Sequence, residues 1–107
     1  MTRGFATKTA TISNGGTTST AVYCADAAIF GVVIPSAFTG TSIGFTVSAD
    51  GTTFQTLYDN TGTIVALTVA ASRSLDLPTA LAGWHSFKIV SNGAEGAART
   101  IVVTLKG

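Results

Sequence analysis

The sequence predicts an all-β protein: a two-sheet antiparallel β-sandwich of about eight or nine strands with jelly-roll or Greek-key connections. A small closed barrel is the alternative. Three observations predict it. Most of the chain consists of short segments in which apolar residues alternate with Thr, Ser or other polar residues. Turn signals such as Asn14-Gly15-Gly16, Asp50-Gly51 and Asp59-Asn60-Thr61-Gly62 interrupt these segments every 8–12 residues or so. No segment has the length and 3.6-residue period that a stable helix requires. At 107 residues the chain is one domain, able to bury roughly two thirds of its unfolded surface.

Residues 5–13 alternate, with Ala6, Lys8, Ala10 and Ile12 on one face and Phe5, Thr7, Thr9 and Thr11 on the other. β-Branched threonine suits a half-exposed pleated surface. After the Asn14-Gly15-Gly16 turn, residues 18–23 form a second short strand. Residues 25–28 hold one helical turn at most. Residues 29–34, IFGVVI, lack alternation, so the expectation is a strand covered on both sides, ended by Pro35. Residues 36–41 form a loop into the stretch 42–59, the centre of the predicted fold. There Asp50-Gly51 between alternating apolar residues signals a two-residue turn. With that turn Val47 faces Phe54, Phe45 faces Thr56 and Ile43 faces Tyr58, which collects Ile43, Phe45, Val47, Phe54 and Tyr58 on one side. A three-residue loop is rejected because it sends Phe54 and Tyr58 to the face opposite Phe45. Further on, Val65, Leu67 and Val69 oppose Ile64, Ala66 and Thr68, and Leu75 and Leu77 oppose Ser74 and Asp76. Residues 79–83 are a loop or single turn. In residues 84–91, Phe87 and Ile89 share a face, with Trp84 and Val90 on the other. Residues 92–97 are a loop, and the final segment points Ile101, Val103 and Leu105 inward.

Composition narrows the function classes. Charged residues make up 10% and hydrophobic ones 46%, with a mean hydropathy of +0.47, against about 25% charged in ordinary soluble domains. Yet no run nears the ~18 apolar residues of a membrane helix. An exterior built from hydroxyls rather than charges suits a protein docked against others, because interface cores are depleted in Lys, Glu and Asp. The net charge of +1 and the scattered Arg3, Lys8, Arg73, Lys88, Arg99 and Lys106 give no footprint for nucleic acid. Membrane-surface binding requires a basic amphipathic helix, which is absent from the pattern. The opening residues lack the apolar segment of a secretory signal, so cytoplasmic synthesis is expected. Cys24 is the single cysteine, in an apolar context that suits an inert buried thiol.

Catalytic chemistry finds little material. A Ser-His-Asp arrangement has only His85 as its base, and that residue runs in phase with Phe87 and Ile89, as a wall or core histidine would. The carboxylates are Asp26, Asp50, Asp59, Asp76 and Glu95. Turns account for Asp50 and Asp59, and Asp76 alternates outward, so no acid–base pair stands out. Asp59 and Asn60 are the sole hint of a calcium loop, and an Asx turn accounts for them equally. The expectation is a non-enzyme with no metal or cofactor. Tyr23, Phe38 and Trp84 are the aromatics available for stacking on a sugar or anchoring an interface. Phe38, in a loop beside Pro35 and Gly40, is expected to be exposed.

The hairpin SADGTTFQTLYD is similar to that of discoidin-like, galactose-binding-like jelly rolls, and GWHSFKI resembles a late core strand of that fold. Through ATISNGGTTSTAV, VSADGTTFQTLYD and GAARTIVVTLKG, nearly the whole chain resembles small β-sandwich virion proteins of tailed bacteriophages. That resemblance implies a capsid decoration (cement) protein that binds and stabilises the head surface. Its partner would be the major capsid protein or another virion protein, and the chain itself a homo-oligomer. A carbohydrate- or receptor-binding module on a phage head or tail is the alternative. Candidate interface residues are Arg3 and Phe5, on a flexible arm of residues 1–5, and Pro35 and Phe38 in the loop before the central hairpin.

Overall fold

Each alternating segment becomes a strand. The computed structural model describes residues 5–25, 27 and 29–106. Its strands are β1 (Phe5–Ile12), β2 (Val22–Tyr23), β3 (Ile29–Val33), β4 (Ser42–Ser48), β5 (Gln55–Thr56), β6 (Ala66–Thr68), β7 (Ser74–Asp76), β8 (Ser86–Ser91) and β9 (Arg99–Lys106). A 3-10 turn at Thr79–Gly83 follows Pro78. No helix among the described residues is long and apolar enough to cross a membrane. Of the arm expected at residues 1–5, residues 1–4 lie outside the described residues, and Phe5 opens β1 opposite Lys106.

One sheet runs β1-β9-β3-β7 and the other β2-β8-β4-β5, with β6 also on β4. Every strand pair is antiparallel. Strands β5 and β6 lie along the same edge of β4. The Leu57 amide donates to the Phe45 carbonyl at 2.9 Å, and the next position on β4, Gly44, already pairs with Ala66 of β6. They therefore act as one strand interrupted by a projecting hairpin. Counted so, the first strand pairs with the last, the second with the seventh, the third with the sixth and the fourth with the fifth. That is the folded-over ribbon of a jelly roll.

Alternation decides what fills the space between the sheets. Ala10, Ile12, Phe30, Val32, Ile101, Val103 and Leu105 from one sheet meet Val22, Ile43, Phe45, Val47, Phe87 and Ile89 from the other, all buried. Phe87 takes Phe30 and Phe45 edge-on, at 6.0 and 6.2 Å between ring centres, an arrangement favoured by the ring quadrupoles.

Two expectations are corrected here. Residues 29–34 are covered on one side only: Phe30, Val32 and Ile34 are buried while Val33 is exposed. An all-apolar run conceals such alternation. The second correction is the central register. Val47 pairs with Gln55 and Thr46 with Thr56, one residue away from the two-residue-turn pairing. A slip of one flips every later side chain, so Leu57 is buried and Tyr58 is 56% exposed. The cause lies in the loop. A type I′ turn needs positive φ at both central residues, but only Gly51 has it (φ 83°) and Asp50 does not. Instead the chain makes a wider loop closed by side chains of Ser48 and Asp50.

The end of the sandwich away from that loop is tied by Glu95, which is buried. Its Oε1 accepts from Arg99 Nε at 2.9 Å and from the Thr39 amide at 3.1 Å. Its Oε2 accepts from the Thr39 hydroxyl at 2.9 Å and from Ser91 Oγ at 3.5 Å. Its backbone exchanges hydrogen bonds with Gly15 and Gly16. Desolvation pushes the carboxyl pKa up and is the largest single influence, but the Arg99 and Thr39 hydrogen bonds together outweigh it and hold the value below the ordinary 4.5.

Two predictions follow from these contacts. Leu57→Ala should cost about 2–5 kcal/mol in urea unfolding, as buried leucine truncations do, while Tyr58→Ala should stay within about 0.5 kcal/mol. The reverse order would restore the two-residue-turn register. Glu95→Gln should cost about 3 kcal/mol, at the low end for a broken buried pair because the Arg99 side chain keeps 14% exposure. A depressed folded pKa stabilises above the unfolded value and loses its effect as pH falls through the folded one. The gap in melting temperature between parent and variant should therefore be widest above about pH 4.5 and narrow in more acid solution.

Candidate functional site

Aromatic and polar side chains gather at the open edge of the sandwich, on the β5 side. They form a groove of about 390 Å³, within the range of small-ligand clefts. Val47 and Leu57 are its buried apolar lining, Trp84 and Tyr58 its aromatic residues, and Asp50, Thr53, Gln55 and Thr56 its polar ones. Trp84 is half-buried against the core. Its amide donates to the Leu81 carbonyl at 3.3 Å, and its own carbonyl accepts the Cys24 thiol at 3.2 Å. Pro78 and the 3-10 turn deliver it there. Tyr58 stands at the base of the projecting hairpin opposite Ile64, itself exposed.

Asp50 is fixed by its own loop. Ser48 Oγ accepts the Asp50 and Gly51 amides at 3.2 and 2.8 Å and donates to Asp50 Oδ1 at 2.9 Å. The same oxygen accepts the amides of Thr52 and Thr53, at 2.9 and 3.1 Å. These bonds, the Thr52 amide first, lower the Asp50 pKa to about 2. They engage Oδ1 alone; Oδ2 has no protein donor among the described residues.

The sequence-predicted interface residues do not come together. Arg3 lies outside the described residues. Phe5 and the Pro35–Phe38 loop sit toward opposite ends of the sandwich, separated by the length of β1, roughly 23 Å. Pro35 is half-buried, its carbonyl accepting the Phe38 and Ser72 amides. The expectation that Phe38 is exposed is corrected: it is 4% exposed. The Glu95–Thr39 bonds pull its loop down onto the end of the sandwich, and its ring lies so close to Gly40 that a Cβ there would approach Phe38 Cε2 to 2.8 Å. Tyr23 is exposed, but Lys8 Nζ stands 5.0 Å from its ring centre and His85 meets it edge-on at 4.9 Å. Of the three aromatics singled out in sequence, Trp84 alone lines the groove. Tyr58 was missed because the wrong register points it inward.

His85 Nδ1 and Ser86 Oγ share a 2.7 Å hydrogen bond, which joins a base to a hydroxyl. Ser86 is only 4% exposed, and the imidazole packs on Tyr23 and beside Gly51. This is a wall position. Asp59 Oδ1 accepts from the Thr61 amide, the Thr61 hydroxyl and the Thr63 amide, an Asx-type closure of the projecting hairpin. Among the described residues no three His, Cys, Asp or Glu side chains gather into a metal-binding group.

No family model, curated protein or solved structure matches this chain. The groove therefore has to be read from its own chemistry.

The loop that presents Asp50 is testable at Gly51. Its φ of 83° disfavours any residue with a Cβ, and such an atom would sit 2.7 Å from His85 Cε1. Gly51→Val should cost at least about 2 kcal/mol in thermal or urea unfolding. A valine variant as stable as the parent would mean that the loop adopts another conformation in solution.

Proposed function

We propose that this chain is a non-catalytic structural subunit of a bacteriophage virion, a capsid decoration protein that docks on the head surface and stabilises it. The observation that carries the reading is the outer face of the four-stranded sheet. Strand pairing sets Thr7 beside Thr104, Thr11 beside Thr100, and Thr9, Val102 and Val33 in one row. Among the described residues charges reach this face only near one end, at Asp76 and Lys106. Such a face combines hydroxyls with exposed apolar groups and carries little ionic hydration to strip away, as the centre of a protein interface requires.

The sequence resemblance to phage virion sandwiches supports the same reading. So does the jelly roll itself, an architecture that viral capsid domains use, although a fold alone does not fix a function. One subunit gains modest free energy from apolar contact, roughly 25 cal/mol per Å² before association costs. A homo-oligomer multiplies that through effective concentration.

The test mixes purified protein with head particles assembled without it and sediments them at low and high salt. Co-sedimentation is expected to survive about 0.5 M salt, because screening acts on ions rather than on buried apolar area. Val33→Glu together with Thr9→Glu, both at exposed positions, should leave the melting temperature nearly unchanged and weaken attachment about tenfold or more. Failure to co-sediment at either salt would end the decoration reading. Binding lost at high salt would keep the partner and reject this face as the mechanism.

A further inference from the structure

We propose that the groove at the open edge binds a neutral saccharide, with Trp84 and Tyr58 packing on a sugar ring and Asp50 Oδ2 and the Gln55 amide taking its hydroxyls. This site is separate from the sheet face assigned to docking above.

Four features of the groove select that ligand class. A pyranose has an apolar C–H face and a hydroxyl-bearing rim, so it needs aromatic rings and planar polar groups side by side. Trp84 and Tyr58 supply the rings, and Tyr58, at 56% exposure, keeps most of its surface for a ligand. Asp50 supplies an acceptor already fixed in place: three donors hold Oδ1, so Oδ2 meets a hydroxyl donor without further ordering. Charge-assisted bonds of this kind are about twice as strong as neutral ones. Gln55 can both donate and accept, which matches a hydroxyl that does the same.

Charge decides between sugar classes. Among the described residues no Lys or Arg lines the groove, and the one ionised group there is an acid. Phosphate, sulfate and uronate groups would meet Asp50 with no cation to offset repulsion. The half-buried ring of Phe54 next to the groove lies under Lys88 Nζ at 4.4 Å and cannot extend the platform. The groove thus suits one or two residues of an uncharged glycan.

Trp84 is the only tryptophan in the chain, so its fluorescence reports on the groove directly. The experiment titrates the full chain with neutral hexasaccharides of glucose, mannose and N-acetylglucosamine, and in parallel with oligogalacturonate and heparin fragments. At least one neutral oligosaccharide should give a saturable change in tryptophan emission. Tyr58→Ala should weaken it about tenfold, the worth of one aromatic contact, and Gln55→Ala about threefold or more. Asp50→Asn keeps an Oδ1 acceptor but loses the charge-assisted part of its bonds, so it should weaken binding and also lower the melting temperature, whereas Gln55→Ala leaves the loop's own bonds untouched. No saturable change with any neutral sugar would overturn the proposal. So would binding undiminished by Tyr58→Ala, or a preference for the anionic glycans. Because Val33→Glu and Thr9→Glu lie on the other sheet, they should leave sugar binding intact, so failure here and failure of the docking reading can be told apart.

Discussion

The buried carboxylate of Glu95 is the constraint on which one whole end of the molecule depends. Three separate stretches of chain meet on it, the loop before β4, the end of β8 and the start of β9, and the backbone of Glu95 ties in a fourth, the 14–16 turn. An ionised group in such a place is tolerable only when its lone pairs are filled. Arg99, Thr39 and Ser91 fill them, and in doing so they fix where Phe38 goes. The burial of that aromatic ring, and hence the closing of the core at this end, follows from electrostatics several residues away.

The opposite end obeys the same logic with weaker parts. There Ser48 and Asp50 close the loop by side-chain bonds to the backbone, and Cys24 and the 3-10 turn hold Trp84 in place. Both ends therefore consume charge or hydrogen-bonding capacity internally. Lys8 leans on Tyr23 and donates to its carbonyl, and Lys88 lies over Phe54. Asp59 is spent on its turn. A chain with six basic and five acidic residues thus presents an exterior even poorer in available charge than its composition implies. That surplus of hydroxyl and apolar surface is what both functional proposals use, on different sides of the sandwich.

Much of the fold was legible. Segments such as Val65–Leu67–Val69, Leu75–Leu77 and Ile101–Val103–Leu105 alternate cleanly, and the structure buries the side each pattern indicates, fully or in part. The candidate site was legible only in pieces. Trp84 was visible as an aromatic beside a strand, whereas Tyr58 could be assigned outward only with the correct β4–β5 register. Glu95 sat in what reads as an ordinary glycine-containing loop, and no local signal marks a glutamate that also binds Thr39, 56 residues away.

The sequence by itself determined the strand class, the sandwich and the inward faces of most segments, because period-two patterning is a local property written into each stretch. Tertiary structure alone decided register, pairing order and burial at the ends. The stretch 54–58 offers two ways to bury apolar side chains, Phe54 with Tyr58 or Leu57 alone, and local hydrophobicity favours the first. The second prevails in the fold, where the Ser48–Asp50 bonds widen the loop by fixing backbone amides, and the edge of β4 must be shared with β6. Phe54 then finds cover under Lys88 on the outer face. Each of these contacts joins residues that no single strand contains, so no reading of one strand could have weighed them.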